Sequence, residues 1–180
     1  MLIGVTMGDA NGVGPEIILK SFTNGKLKER FVVIGDYSIL SFANEYLGYN
    51  VPLKRIDSPD DTDKDHLNVL DLNILARDDL TIGKISKKVG YASIVYVEQA
   101  TKMALEGKLD GIVTLPINKS AVRLTYPDFT GHTEFIAELC REKDYTMMLA
   151  SDRLIVTHIS THVSLRDAIE MVKKENVYRI

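Results

Sequence analysis

The chain has 180 residues, 45% of them hydrophobic and 26% charged, with a net charge of −3. That length allows one sizeable core or two small ones, and the acidic balance argues against a general nucleic-acid binder, which would be basic. No apolar run approaches a membrane span, no basic leader precedes the first strand, and the single Cys140 excludes a disulfide framework or a Cys-rich zinc module, so the reducing cytoplasm is the expected setting.

In chain order, residues 2–7 predict a short apolar strand. The loop Gly8-Asp9-Ala10-Asn11-Gly12-Val13-Gly14 follows, and Pro15 and Glu16 open a helix over 15–22. The loop resembles a phosphate cradle, but its spacing fits neither G-x-G-x-x-G nor the Walker A pattern, so no nucleotide fingerprint is read there. A tight turn using glycines for positive φ explains most of it; ligand contact is the alternative, and Asp9 is the residue the turn explains least.

Residues 31–35 predict a second strand, 36–47 a helix capped by Gly48, and 51–56 a third strand that Pro52 places at an edge or a start. Residues 57–65, rich in Asp, Ser, Pro and Thr, predict a solvated loop and the best linker in the chain. His66 reads as a surface histidine. Residues 68–75 predict a strand and 78–83 a turn. Residues 86–107 carry the longest helical pattern, with Ala92, Val95, Tyr96, Gln99, Ala100, Met103 and Ala104 on one face and Gly107 as cap. A strand over 110–115 follows almost at once, which is half of a βαβ crossover and predicts a parallel sheet.

The most informative stretch is 110–138. Its apolar run 111–115 predicts a buried strand ended by Pro116. Asn118, Lys119 and Ser120 lie just past that strand's C-terminal end, where open α/β sheets bind ligands. Thr130-Gly131-His132-Thr133-Glu134 then opens another helix. A cation, an imidazole, hydroxyls and a helix N-terminus suit a small anionic substrate. Each has a plainer reading: Lys119 as a solvated cation, His132 as a first-turn residue, Thr133 and Glu134 as caps. Cys140 reads as a buried helix residue. Residues 145–150 and 154–158 predict two strands, with His158 structural, and Ser164 caps a helix over 165–174, after which a frayed, exposed terminus is expected.

Four motifs occur in one order: Gly8-Asp9-x-x-Gly12-x-Gly14-Pro15-Glu16, Pro116-Ile117-Asn118-Lys119, Gly131-His132-Thr133-Glu134, and Thr161-His162-x-x-Leu165-Arg166-Asp167. Together they resemble the 4-hydroxythreonine-4-phosphate dehydrogenase family of pyridoxal phosphate biosynthesis. The match spans essentially the whole chain but only about the N-terminal half of a family member, so residues 1–180 are expected to be the N-terminal portion of a two-lobed dehydrogenase. The family usually has Pro-Ala where this chain has Ala10-Asn11.

The resemblance implies an α/β fold with a mixed or mostly parallel sheet and flanking helices, part of the two-lobed isocitrate and isopropylmalate dehydrogenase-like architecture. It implies a homodimer acting on a small phosphorylated hydroxy acid, with NAD or NADP and a divalent metal of the zinc, magnesium or cobalt class. The expected reaction is oxidation of 4-phosphohydroxy-L-threonine followed by decarboxylation. His132 and Thr133 fall on the family's substrate-binding pair and His162 on its first metal ligand. The other two metal histidines fall in the half not matched. Lys119 joins the substrate set from its position past the strand, and Asp167 and Arg166 are expected to orient the loop carrying His162. No residue is assigned to catalysis or to the nicotinamide cofactor. Two other readings stay open: a dehydrogenase of threonate or erythronate 4-phosphate, and an inactive lobe that only binds a phosphorylated ligand.

Overall fold

Apolar runs bounded by glycine-rich or acidic turns become the strands of a parallel sheet, as the computed structural model shows for residues 1–25 and 29–180. The chain divides into two units, Met1–Cys140 and Arg141–Ile180. In the first, β1 (Leu2–Thr6), β2 (Arg30–Gly35), β3 (Leu53–Ile56), β4 (Leu67–Asp71) and β5 (Gly111–Thr114) lie in the order β3-β4-β2-β1-β5. Every pairing in this sheet is parallel, with Thr6 standing beside Ile34 on one side and Thr114 on the other. Val32, Val33 and Ile34 of the central β2 are fully buried, as a parallel strand covered on both faces requires.

The long connections are helices: α1 (Gly14–Thr23), α2 (Tyr37–Leu47) and α3 (Lys87–Leu105). Pro15 sits in the first turn of α1, where a missing N–H costs nothing. Gly48 ends α2 in the left-handed region (φ 69°), and the Tyr49 N–H closes back on Asn44 O at 3.2 Å. Ile18 and Leu19 of α1, Ile39 and Leu40 of α2, and Val89, Ala92, Tyr96 and Ala100 of α3 meet Val33, Leu67 and Val69 in one core. Beyond β5 come the short α4 (Lys119–Val122) and then α5 (His132–Leu139). A second cluster of Ile94, Val122 and Phe129, with Ile117 and Phe135 against it, fastens both to α3. At Gly90 the fit is so close that a Cβ would stand 2.3 Å from the Ala121 backbone.

Several expectations are corrected. The strand read over 68–75 ends at Asp71, because the Ile74 and Leu75 N–H groups turn to the Asp36 carboxylate instead of a ladder. The strand read as buried at 111–115 is the edge of the sheet, with Val113 49% exposed, since it pairs with β1 alone among the described strands. Residues 57–65 are not a linker between units. They join β3 to β4 through a 3-10 turn at Pro59–Asp61, and Lys54 pins them through Asp63 at 2.9 Å. His66 is half-buried against the same Asp63, at 2.8 Å. Cys140 is exposed just past α5.

In the second unit, β6 (Met148–Ala150) and β7 (Ile155–Thr157) form an antiparallel hairpin. The Ser151 N–H closes the turn on Leu154 O at 2.9 Å. His158 is indeed structural, its Nδ1 2.9 Å from Met147 O. Next come α6 (Leu165–Met171) and α7 (Lys174–Arg179). Ser164 caps α6 by accepting the Asp167 N–H, and its hydroxyl donates to the Asp167 carboxylate at 2.6 Å. The single helix read over 165–174 stops at Met171 and the short α7 follows it; the terminus is largely exposed, as expected. No residue of this unit is fully buried. No helix among the described residues is long and apolar enough to cross a membrane.

Candidate functional site

In the first unit the strand order reverses between β1 and β5: the chain leaves β1 toward β2 on one side and reaches β5 later on the other. Such a switch point opens a crevice outside the carboxyl ends of the strands. The loops that follow β1 and β5 meet there. The Asp9 N–H donates to Pro116 O at 2.9 Å. Gly8 holds φ 72°, and a Cβ on it would stand 2.5 Å from the same Pro116 oxygen. Only glycine allows this approach. Gly14 is as constrained, since its Cβ would lie 2.1 Å from Met7 O.

From Pro116 the chain passes to Asn118, whose side-chain oxygen accepts the Ala121 N–H at 3.1 Å and caps α4. Asn118 is thus occupied with structure, while Lys119, the first residue of α4, is exposed. Arg123 then donates through Nε to Phe129 O at 2.8 Å, which folds the 123–130 loop back and delivers Gly131 to the start of α5. His132, Thr133 and Glu134 form the first turn of that helix.

The structure brings Lys119 and the 131–134 turn together. A Cβ on Gly131 would lie 3.0 Å from Glu134 Oε2 and 3.7 Å from Lys119 Nζ, so the absent side chain keeps a gap between the two charged groups. Burial, with the Lys119 charge adding to it, pushes the His132 pKa below its ordinary 6.5. The ring is therefore neutral at pH 7. Its Nε2 is sealed from solvent and has no hydrogen-bond partner among the described residues, a condition that costs about 1–3 kcal/mol. An exposed cation and a helix N-terminus can together hold an anionic oxygen, with the sealed imidazole of His132 beside them.

His162 belongs to the second unit, exposed, with its backbone in the left-handed region at φ 58°. A catalytic metal takes about three protein ligands. Among the described residues no three His, Cys, Asp or Glu side chains gather to hold one. The donors among the described residues do not by themselves fit a metal ion.

Sequence reasoning missed two polar anchors. Asn11 is 2% exposed and clamps the 81–84 turn: its side chain accepts the Thr81 N–H at 2.8 Å and donates to Thr81 Oγ1 and Lys84 O. Asp36 is fully buried, accepting from Ile74 N, Leu75 N and the Tyr96 hydroxyl. Burial raises its pKa, and the three donors oppose that. For Asp36 the available signal was the Gly-Asp dipeptide at the end of β2; Asn11 had none beyond its departure from the family's Pro-Ala.

Known proteins share this fold. The family model described as pyridoxal phosphate biosynthetic protein PdxA matches residues 27–180. A protein of Oceanobacillus iheyensis, provisionally named D-threonate 4-phosphate dehydrogenase, is 41% identical over 99% of this chain and 55% of its own length. The D-threonate 4-phosphate dehydrogenase of Cupriavidus necator is 36% identical over 99% of this chain and 54% of its own. The crystal structure of a 4-hydroxythreonine-4-phosphate dehydrogenase from Burkholderia phymatum superposes with a TM-score of 0.89 at 35% identity, over 99% of this chain and 55% of that one. The chain thus spans about half the length of the curated relatives it matches. With the motif order, the parallel sheet and the paired loops at its switch point, these matches establish that the chain belongs to the pyridoxal phosphate biosynthetic protein PdxA family.

Proposed function

We propose that this chain carries one part of the substrate site of an NAD- or NADP-dependent dehydrogenase acting on a four-carbon hydroxy acid with a 4-phosphate. The observation that carries the reading is the junction of exposed Lys119 with the first turn of α5, where burial lowers the His132 pKa and leaves Nε2 unpaired among the described residues. In this reading Lys119 holds an anionic oxygen of the substrate as a point charge. The α5 N-terminus and the Thr133 hydroxyl add donors to the same group. Nε2 of His132, sealed in this structure, accepts from a substrate hydroxyl once the ring turns toward the crevice, and then fixes which carbon faces the oxidant.

When bound, a nicotinamide cofactor accepts the hydride lost from the alcohol carbon. The chain's own residues orient that alcohol and neutralise the anion at its far end. His162 belongs to the same proposal as one ligand of a divalent metal whose remaining ligands lie outside the set described. The names of the relatives favour D-threonate 4-phosphate. The motif resemblance favours 4-phosphohydroxy-L-threonine. A homodimeric, cytoplasmic enzyme is the accompanying expectation.

Titrating the chain with both compounds by calorimetry tests the reading. Lys119→Ala should weaken the preferred ligand about tenfold or more, the effect of losing a hydrogen bond to a charged group. Equal affinity in Lys119→Ala, His132→Ala and the parent chain would sink it. Reduction of NAD or NADP with each compound then ranks the two substrates.

A further inference from the structure

Asp9 stands apart from Asp36, the other buried acid among the described residues of the first unit. It is 8% exposed, yet the Asn11 N–H, 2.9 Å from Oδ1, is the one donor its carboxylate has among the described residues. The polar atoms both sealed and unpaired in the described structure are Thr6 Oγ1 and His132 Nε2. Oδ2 of Asp9 is not one of them, so it reaches solvent. The protein thus holds one oxygen of this carboxylate and leaves the other to water or to a ligand that can donate.

Its surroundings are built for access. Asp9 lies at the β1 side of the switch point, and its own N–H is tied to Pro116 across the crevice. Above it lies exposed Gly12, where a Cβ would stand 3.5 Å from Asp9 Cβ and 3.6 Å from Cγ. The carboxyl group is thus one glycine's thickness beneath the surface. Asn11 holds the neighbouring 81–84 turn through three side-chain hydrogen bonds, so the floor beside Asp9 is fixed.

We propose that Asp9 is a ligand-binding carboxylate that accepts hydrogen bonds from the hydroxyl groups of a polyhydroxylated small molecule entering the crevice between the loops after β1 and β5. An ionised carboxylate accepts only, so the ligand must supply donors. Two sources share that chemistry: the carbon chain of the hydroxy-acid phosphate and the ribose of a nicotinamide dinucleotide. The first rests on the function proposed above and the second does not need its particular substrate.

The experiment is calorimetric titration of the chain, of Asp9→Asn and of Gly12→Val with three probes: D-threonate 4-phosphate, NAD, and 4-phosphobutanoate, which keeps both anionic ends of the acid but lacks its hydroxyls. Asp9→Asn is expected to weaken one hydroxylated probe about tenfold or more while leaving 4-phosphobutanoate unchanged. Gly12→Val, which covers the carboxylate without removing it, should reproduce that loss. An effect on D-threonate 4-phosphate alone assigns the substrate chain, and an effect on NAD alone assigns the ribose. No binding of either hydroxylated probe, or equal binding by parent and Asp9→Asn, overturns the proposal. If Lys119→Ala weakens D-threonate 4-phosphate and Asp9→Asn does not, the proposed function stands and the role of Asp9 falls.

Discussion

Two adjacent strands of one sheet lead into the same dipeptide, Gly35-Asp36 at the end of β2 and Gly8-Asp9 two residues past β1, one residue out of register with each other, and the two acids have opposite fates. Asp36 is closed off: two backbone N–H groups and a tyrosine hydroxyl fill its oxygens, and the chain after β4 is shaped around it. Asp9 takes one backbone N–H and keeps an oxygen open. The difference comes from what lies alongside each strand. β2 is central, flanked by β4 whose following loop donates to Asp36. β1 borders the switch point, where the loop after β5 accepts the Asp9 N–H through Pro116 O and gives its carboxylate no donor among the described residues. A carboxylate at a strand end is therefore a joint or a site according to its neighbour, and the dipeptide alone does not say which.

The largest effect expected from breaking this comparison is at Asp36. Asp36→Ala strands three buried donors, each worth about 1–3 kcal/mol when unpaired, so urea unfolding of the variant should show a loss of about 4 kcal/mol or more. A loss under about 1 kcal/mol would show that Asp36 is no anchor. Tyr96→Phe comes next. It removes one hydroxyl, 2.5 Å from Asp36 Oδ2, and should cost about 1.5–3 kcal/mol in the same measurement, the range for a bond to a charged group. The smallest effect is at Asp9, where Asn substitution should shift stability at neutral pH by about 1 kcal/mol or less, since one backbone bond is at stake.

The pH dependence is a shared feature, since burial raises the pKa of both acids. Burial raises the Asp9 pKa above 3.8, so the folded chain retains a proton that the unfolded chain has lost. The contribution of this group is fully present below pH 3.8 and is lost as the pH rises through the raised value. Stability curves of the parent and Asp9→Asn should therefore separate from pH 3.8 upward, the parent falling relative to the variant, and run parallel above the raised pKa. Curves parallel throughout would mean that Asp9 titrates alike in both states.

Much of this was legible from residue patterns. Pro15 and Gly48 mark helix ends through backbone chemistry that neighbours do not alter, and both stand where the pattern puts them. The repeated apolar runs and the long helix before β5 gave the parallel sheet. Burial was harder to read: 111–115 has the composition of a covered strand but forms an edge, because composition does not report which strands lie alongside. Lys119 and His132 were identified one by one, and their approach depends on Arg123 folding a loop back onto Phe129 O, a contact with no periodic signature. Asn11 was noted as a departure from the family motif. Its role needed the partner turn some seventy residues on.

The position of β4 has a consequence for the order in which the sheet can assemble. β3 precedes β4 in the chain but touches the sheet only through it, for β4 lies between β2 and β3. As the chain emerges during synthesis, β1 and β2 can pair at once, whereas β3 must wait at the margin until residues 67–71 are made and wedge in beside β2. β5 then adds to the opposite edge only after α3 is complete. Long-range pairings of this kind slow folding, because the loop must close before its contacts reward it. The crevice between β1 and β5 is thus the last part of this sheet to come into being, finished only when the helix that spans the gap has packed.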